Sequence, residues 1–309
     1  MKKTVFCIVA AALLAVAMTA CEKENHHYYG GSNNNDDNQT TRSDAFDQNG
    51  ASKKTFSVSS FKRVAFSCGN LQYQASTQTW RFAEHQYDYL GNTNGLISAV
   101  NSEWIDLFGW GTSGWNSGAI CYQPYSTSTV DSNYWPGGLY DADLIEEYLQ
   151  ADWGNYAAIS NGGNAQGMWH TLNTREWRYL LGETGVEVRK DKWGMANILD
   201  MYYGLVILPD SWELPEGLSF TAGAHDWNIN RYNDVEWAKM EDAGAIFLPA
   251  GGCRYANGID DVDVMGAYWS STHYNYVRAY DINFSSGNLD MVNRNYRSTG
   301  LSVRLVMKK

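Results

Sequence analysis

The fold is decided by the stretch Gly266–Thr272 (GAYWSST) and by the closing stretch Leu301–Val306 (LSVRLV). In the closing stretch, Val303 and Leu305 alternate with polar residues, and this period of two predicts a β-strand with one apolar face. Apolar and polar residues alternate in the same way across positions 280–284. The C-terminal region is therefore predicted to supply several strands of the core.

The segment His273–Ser298, which lies between these two stretches, has an unusual composition. It is built mainly from Tyr, Asn, Ser, Arg, Asp and His and contains no Lys, Glu or Pro. Antibody combining sites use a similar set, in which Tyr gives rigid contact area and Asn and Ser give adaptable hydrogen bonds. We therefore predict that this segment forms a binding face.

Within this face we predict three groups of residues. Tyr and Arg dominate binding hot spots because they bury large areas or donate several hydrogen bonds. The residues predicted to supply most of the binding energy are Tyr274, Tyr276, Arg278, Tyr296 and Arg297. Those predicted to adjust specificity are His273, Asn275, Asp281, Asn293 and Asn295. Those predicted to belong to the scaffold are Tyr268, Trp269, Tyr280, Ile282 and Phe284.

The N-terminus has the organisation of a targeting segment. Lys2 and Lys3 precede the apolar run Val5–Val16, which is shorter than the ~20 residues that span a bilayer. The following Met18–Cys21 resembles the lipobox of bacterial lipoproteins, with Met in place of the commoner Leu. That resemblance implies cleavage before Cys21 and acylation of its thiol. A plain secretory signal is the alternative.

If the lipoprotein resemblance holds, the protein is held in the outer membrane by its lipid. Cys21–Glu24 also resembles the short acidic signal that directs Bacteroidetes lipoproteins to the cell exterior. The residues that follow, to about Lys54, are polar and of low complexity, and they carry too little apolar surface to fold. The predicted organisation is a signal peptide (1–20), a flexible tether (21–55) and one folded domain (56–309) with a variable-looking segment (268–300).

Charge and cysteine content exclude several classes of protein. The chain has 34 acidic against 23 basic residues, a net charge of −11, which disfavours nucleic acid as a partner. Apart from two cysteines in the N-terminal segment, the chain has only Cys68, Cys121 and Cys253. With no CxxC or CxxH spacing, neither a disulfide scaffold nor a zinc module is expected.

Two helices are predicted from matching start signals. Asn173 and Asn233 are each followed three residues later by Glu, which is a capping-box arrangement with Asn as the N-cap residue. Trp177 and Trp237 follow directly and are predicted to be core anchors. A third, less central helix is predicted over Asp141–Gln150.

Strands are predicted before and after these helices. The early ones are Arg63–Ser67, Leu71–Gln74 and Thr79–Phe82, with a hairpin-like turn signal at residues 69–70 between the first two. Continuous apolar runs predict buried strands at 204–209 and 245–249. An order of strands, helices and strands favours an α+β fold. The 13 Trp and 29 Gly residues indicate long loops pinned by buried indoles.

Four stretches resemble the major paralogous domain that is abundant in Fibrobacter and Bacteroidetes. They are Thr174–Trp177, Leu248–Tyr255, Tyr268–Thr272 and Gly300–Arg304, and the likeness extends over roughly Phe61 to Val306. The resemblance implies a C-type-lectin-like fold, of the branch shared with formylglycine-generating enzymes.

Some members of this fold are variable proteins of diversity-generating retroelements. In those proteins the C-terminal segment is rewritten at adenines, so that Asn codons scatter to Tyr, His, Asp, Ser and Arg. Positions 273–278 and 293–298 resemble such scatter. Paralogues that diverged by ordinary duplication are the alternative.

Catalysis is not expected. The enzymatic branch of the fold uses paired cysteines near the C-terminus, where this chain has only Cys253. Gln123–Tyr125 lacks the carboxylate of calcium-dependent lectin loops, and Asp260–Asp263 is interpreted as a solvated acidic turn, with calcium ligation as the alternative. We therefore expect no cofactor, and recognition of an unknown protein or glycan ligand. The alternatives are a structural or fimbria-associated surface subunit and an enzyme related to formylglycine-generating enzymes.

Overall fold

Short, mostly antiparallel sheets and a few helices make up the fold, which is mixed α/β as predicted. The computed structural model describes residues 43–183 and 185–309, and these group as one compact unit. The predicted signal peptide, the acylation site Cys21 and most of the predicted tether lie outside the described residues. Among the described residues, no helix is long and apolar enough to span a membrane.

The strands of the described residues have the following bounds: β1 (Phe56–Ser57), β2 (Arg63–Phe66), β3 (Leu71–Gln74), β4 (Thr79–Phe82), β5 (Trp104–Ile105), β6 (Trp193–Ile198), β7 (Tyr202–Ile207), β8 (Asn230–Tyr232), β9 (Ile246–Pro249), β10 (Cys253–Tyr255), β11 (Gly258–Asp260), β12 (Met265–His273), β13 (Arg278–Ser285), β14 (Asn288–Tyr296) and β15 (Val306–Lys308). The three early strands and the two apolar strands predicted from the sequence are confirmed as β2, β3, β4, β7 and β9.

The strands form small separate sheets. Their orders are β1-β2-β15, β4-β3-β5, β8-β6-β7-β9, β10-β11 and β12-β13-β14. All pairings are antiparallel except that of β6 with β8. The sheet β12-β13-β14 contains the segment that was predicted to bind ligand, and β14 lies at its edge.

The described residues form three α-helices: α1 (Trp153–Tyr156), α2 (Thr174–Leu180) and α3 (Asp234–Asp242). Both predicted capping boxes are present, because Asn173 and Asn233 each accept from the N3 backbone while the N3 Glu accepts in return. Short 3-10 helices occupy Gly91–Leu96, Asp131–Tyr134, Pro136–Gly138, Glu146–Ala151 and Glu187–Arg189.

The predicted α-helix over Asp141–Gln150 is wrong. Only a 3-10 helix forms there, at Glu146–Ala151, and Glu146 itself has a left-handed φ of 51°. Leu144, which lies two positions before Glu146, is buried, and its backbone N–H donates to the carbonyl of Ser271 at 2.9 Å. Packing against β12 therefore holds this segment in a loop instead of in helical turns.

The predicted hairpin between the first two strands is also wrong. β2 and β3 belong to different sheets, and β3 forms its hairpin with β4. The backbone N–H groups of Ser67 and Leu71 donate to the carbonyls of Leu305 and Val303, each at 2.9 Å. The C-terminal stretch thus takes the hydrogen bonds that a β2–β3 pair would have used.

The folded domain begins earlier than the predicted boundary at residue 56. Phe46 and Ala51 are buried in the main hydrophobic core, and the Ala51 carbonyl accepts from the backbone N–H of Asp47 at 2.8 Å. The segment between residues 43 and 55 therefore belongs to the folded domain and not to the tether.

Buried indoles pin the loops, as the Trp and Gly content predicted. The Nε1–H of Trp110 donates to the carbonyl of Ser270 at 2.9 Å, and that of Trp269 donates to the carbonyl of Phe108 at 2.7 Å. These two bonds run in opposite directions between the 108–110 loop and β12. They fix the loop against the sheet that contains the candidate site.

The closing stretch 301–306 does not form the half-exposed strand that its alternation predicted. Every residue from Leu301 to Val306 is buried, and the regular strand β15 begins only at Val306. Ser302 and Arg304 face the interior because neighbouring segments surround this stretch on both sides. The buried guanidinium of Arg304 departs furthest from the predicted pattern, in which the polar residues of this stretch would face solvent.

Candidate functional site

The hairpin β13–β14 places two tyrosines and two arginines on one face. In its antiparallel register Arg278 lies opposite Tyr296 and Tyr280 lies opposite Arg294. Directly opposed residues share a face of the sheet, and the face repeats every second residue. Together with Tyr274, which contacts Tyr280 and Arg294, they form the tyrosine–arginine patch: Tyr274, Arg278, Tyr280, Arg294 and Tyr296.

The side chains of the tyrosine–arginine patch hold one another in place. The Arg278 guanidinium lies 4.7 Å from the ring centre of Tyr296, and its Nη2 donates to the Tyr296 hydroxyl at 3.3 Å. The Arg294 guanidinium lies 4.5 Å from the Tyr274 ring and 5.7 Å from the Tyr280 ring. The rings of Tyr274 and Tyr280 meet edge to face at 5.2 Å. Such cation–π pairs restrict the rotamers of long side chains before any ligand arrives.

The turn that precedes β13 is rigidly hydrogen-bonded. The backbone N–H groups of Tyr274 and Asn275 donate to the Arg278 carbonyl at 2.9 and 3.1 Å. The Asn275 side-chain oxygen accepts from the backbone N–H groups of Val277 and Arg278 at 3.0 and 2.9 Å. The predicted specificity residue Asn275 therefore uses its amide oxygen to build the turn that carries Tyr274 and Tyr276.

Arg297 cannot contact a ligand in the way the sequence predicted. Its side chain is fully buried, stacks 4.6 Å from the Trp110 ring and donates to the carbonyls of Tyr140 and Asn275, the latter at 2.8 Å. Burial lowers the pKa of its guanidinium to about 10, so it stays charged at neutral pH. Arg297 supports the Tyr274–Arg278 turn from below.

Asp281 is likewise buried, which corrects its predicted ligand contact. Its carboxylate accepts from Asn293 Nδ2 at 3.0 Å, from the Asn295 backbone N–H at 3.0 Å and from Asn295 Nδ2 at 3.1 Å. The register puts Asn293 and Asn295 on the face opposite to Arg294 and Tyr296. The predicted binding face is therefore divided between two sides of the sheet, and Asn293 and Asn295 brace β14 through Asp281.

The buried carboxyl of Asp281 makes the stability of the folded domain depend on pH. Burial raises the pKa of Asp281 to about 7, although the bonds from Asn293 and Asn295 act in the opposite direction. Because the pKa is higher in the folded state than its ordinary value near 4, the native state holds this proton more tightly. The associated stability is present below pH 4 and is lost as the pH rises through about 7.

We therefore expect the urea midpoint of the folded domain to fall less between pH 5.5 and 8 in Asp281→Asn than in the wild type. Asn resembles the protonated carboxyl and does not titrate. Asp106 and Asp152, whose pKa values burial raises to about 6, contribute in the same direction to both proteins. An equal or larger fall in Asp281→Asn would contradict the assignment.

The structure adds residues that sequence reasoning missed. Arg294 belongs to the patch. It could have been predicted by extending the alternation of Tyr280 and Asp281 to the facing strand of the hairpin. Trp135 could not be found in this way, because it lies far away in the chain. Its Nε1–H donates to the Tyr276 carbonyl at 2.7 Å, and its ring packs 5.9 Å from that of Tyr140.

His273 lies at the border of the patch and is paired within the protein. Its backbone N–H and its Nδ1 lie 2.8 and 2.6 Å from the same Asp143 oxygen. Asp143 belongs to the loop that was predicted to be a helix. This loop, with Trp135 and Tyr140, forms a wall beside the Tyr274–Arg278 turn.

Two further candidate groups are the acidic turn Asp260–Asp263 and the thiol of Cys253. Among residues 43–183 and 185–309, no cluster of three or more His, Cys, Asp or Glu could hold a metal ion. Asp263 accepts from the Tyr89 hydroxyl instead. Burial raises the pKa of the Cys253 thiol to about 11, so at neutral pH it is a protonated and poor nucleophile.

Residues 224–306 match a family described as a domain of unknown function, DUF8237. The matched range covers α3 and the whole sheet β12-β13-β14 with the tyrosine–arginine patch. No curated protein and no solved structure matches the chain.

Proposed function

We propose that this protein binds a protein or glycan ligand through the tyrosine–arginine patch and the adjacent Tyr276, without chemical turnover. The observation that carries the proposal is a set of large aromatic side chains exposed on a rigid turn and hairpin. Tyr274, Tyr276 and Tyr296 are 40, 61 and 43% exposed, while the residues beneath them are buried.

Exposed tyrosines of this kind suit recognition for a physical reason. Binding costs free energy because side chains lose conformational freedom when they are ordered. A Tyr that is already held by a neighbouring guanidinium has little of this freedom left to lose. Tyr also presents an apolar ring and a hydroxyl to the same ligand. The wall with Trp135 and Tyr140 extends this aromatic surface beyond the C-terminal segment.

The test is a selection from a random peptide display library and a glycan array, using the folded domain as bait. Binders of the wild type are expected to lose at least tenfold in affinity for the variant Tyr274→Ser/Tyr276→Ser/Tyr296→Ser. They should bind normally to Tyr255→Ser, which removes an exposed tyrosine from β10. Binders that retain full affinity for the triple variant would place the site elsewhere.

We further infer a C-type-lectin-like fold from the convergence of the four stretches that carry the resemblance. The Tyr268 hydroxyl donates to the Pro249 carbonyl at 2.9 Å, and Trp177 Nε1 donates to the Trp269 carbonyl at 3.4 Å. The backbone of Gly300 exchanges two hydrogen bonds with Arg254. An experimentally determined domain that failed to superpose on C-type lectins would refute this assignment.

We also propose that exposed positions of the hairpin are diversified by a retroelement. Support comes from the contrast between exposed Tyr274, Tyr276 and Tyr296 and the buried Trp269 and Ser302 on either side. Arg297 is too deeply buried for its position to accept substitution by a range of residue types. The genomic signature is a nearby adenine-rich repeat of this segment with a reverse-transcriptase gene, and its absence would leave ordinary duplication as the source of the pattern.

The lipobox-like sequence supports a lipid anchor at Cys21 and an outer-membrane location facing the exterior. Two acyl chains provide stable anchoring at ~0.8 kcal/mol for each buried CH₂. Cys21→Ala is expected to leave the precursor uncleaved or to release the protein into the soluble fraction. An acylated variant that still partitions into detergent would contradict the assignment.

A further inference from the structure

We propose that the ligand of the tyrosine–arginine patch is an extended acidic peptide with carboxylates at alternate positions. This inference rests on the proposed function and names the class of its ligand. It is based on the charge, the spacing and the position of Arg278 and Arg294.

Among the described residues, three surface arginines are paired with a carboxylate, whereas the two arginines of the patch are not. Arg63 pairs with Asp210 at 3.5 Å, Arg231 pairs with Asp200 at 2.5 Å, and Arg178 pairs with Glu183. Within the ranges that the structure describes, neither Arg278 nor Arg294 forms an ion pair. In a chain with a net charge of −11, two neighbouring guanidiniums without a carboxylate partner are an open site for an anion.

One carboxylate of the adjoining wall, that of Asp143, is already engaged within the protein. Asp143 lies beside the Tyr274–Arg278 turn, where its oxygen is already bound to the backbone and ring of His273. The carboxyl of Asp281 lies on the opposite face of the sheet and is buried. The positive charge of the patch therefore remains available to a ligand.

The aromatic contacts leave most guanidinium donors of the patch available. Arg278 uses one Nη2 donor on the Tyr296 hydroxyl at 3.3 Å, and a guanidinium carries five N–H donors. The Arg294 guanidinium lies over the Tyr274 and Tyr280 rings, and the Arg278 guanidinium lies over the Tyr296 ring. A guanidinium can bind a carboxylate in a bidentate manner through the N–H groups that its other contacts do not use. Phosphate and sulfate share this chemistry, so geometry must decide between ligands.

The spacing of the arginines favours an extended peptide. Arg278 and Arg294 are diagonal neighbours across the β13–β14 pair, a relation that separates residues by ~7–8 Å. Side chains at alternate positions of an extended chain are ~7 Å apart and point the same way. Two acidic residues separated by one other residue therefore match the spacing of the two arginine positions on the sheet.

The position of the patch at a sheet edge supports the same choice. Arg294 and Tyr296 lie on β14, and among the described residues no further strand pairs with the outer side of β14. An extended peptide can form a regular series of backbone hydrogen bonds with such an edge strand. A glycan has no peptide backbone and cannot form that series. Tyr274 and Tyr276 would then contact the residues between the carboxylates.

The experiment measures fluorescence anisotropy of labelled probes with the folded domain. The probes are a peptide in which Glu and Ser alternate, the same peptide with Gln replacing every Glu, and a sulfated heparin-derived hexasaccharide. We expect the Glu peptide to bind at least tenfold more tightly than the Gln peptide and more tightly than the hexasaccharide. Equal affinity for the two peptides, or tighter binding of the hexasaccharide, overturns the proposal.

Two double variants assign the binding to these residues. Arg278→Gln/Arg294→Gln is expected to reduce affinity for the Glu peptide at least tenfold, while Arg178→Gln/Arg231→Gln, which removes paired arginines elsewhere, should leave it unchanged. Arg278→Lys/Arg294→Lys keeps the charge and should bind with intermediate affinity. Wild-type affinity in the Gln variant overturns the proposal. Library binders that depend on the tyrosines but carry no acidic residues would overturn this inference alone and leave the proposed function intact.

Discussion

Replacing Arg304 by methionine is expected to remove most of the stability of the folded domain. The buried guanidinium donates to Asn70 Oδ1 at 3.1 Å and to the carbonyls of Ser67 at 3.0 Å, Gln86 at 3.1 Å and Phe247 at 2.6 Å. Methionine fills a similar space but donates nothing. Each acceptor left unpaired in the interior costs ~1–3 kcal/mol, against a total stability of ~5–15 kcal/mol for a typical domain.

The measurement is urea unfolding followed by tryptophan fluorescence. Burial lowers the pKa of Arg304 to about 10, so the side chain is charged at neutral pH and its bonds are charge-assisted. Arg231→Met, which removes an exposed arginine, is the matched control and should unfold close to the wild type. A midpoint for Arg304→Met near that of the control would show that the four acceptors find other donors.

Arg304 also shows why part of the fold could not be predicted from the sequence. Local signals predicted the elements that depend on neighbouring residues, such as the capping boxes at Asn173 and Asn233 and the apolar strand β9. The partners of Arg304 lie far away in the chain, on three separate segments: residues 67–70, Gln86 and Phe247. No local pattern distinguishes a charge that will be surrounded by distant carbonyls from one that faces solvent.

The candidate site was predicted in location but not in the orientation of each residue. Composition identified the 273–298 segment, because exposed Tyr and Arg are unusual on a surface that needs only solubility. The division of the segment into two faces depends on the register, which shifts between Asp281 and Asn283. A shift of one residue exchanges the two faces, so the positions of Asn293 and Asn295 required the structure.

The second large effect is expected at Trp269. Its ring is buried, its Nε1–H donates to the Phe108 carbonyl at 2.7 Å, and its own carbonyl accepts from Trp177 Nε1 at 3.4 Å. Truncating a buried Trp to Ala costs ~3–5 kcal/mol, and here it also removes one of the two donors to the Phe108 carbonyl, which keeps the Leu301 backbone N–H at 3.0 Å. Trp269→Ala should therefore be largely unfolded at temperatures where the wild type is folded.

The exposed tyrosines provide the contrast that separates scaffold from binding face. Tyr274→Ser/Tyr276→Ser/Tyr296→Ser removes three side chains that are about half exposed, and it forfeits cation–π contacts worth ~0.5–1 kcal/mol each at exposed sites. The bond from the Trp135 Nε1–H to the Tyr276 carbonyl does not involve the Tyr276 side chain and is retained. Calorimetric melting of the triple variant should lie within a few degrees of the wild type, while Trp269→Ala loses its cooperative transition. If the triple variant melts as poorly as Trp269→Ala, these tyrosines belong to the core and the ligand binds another surface.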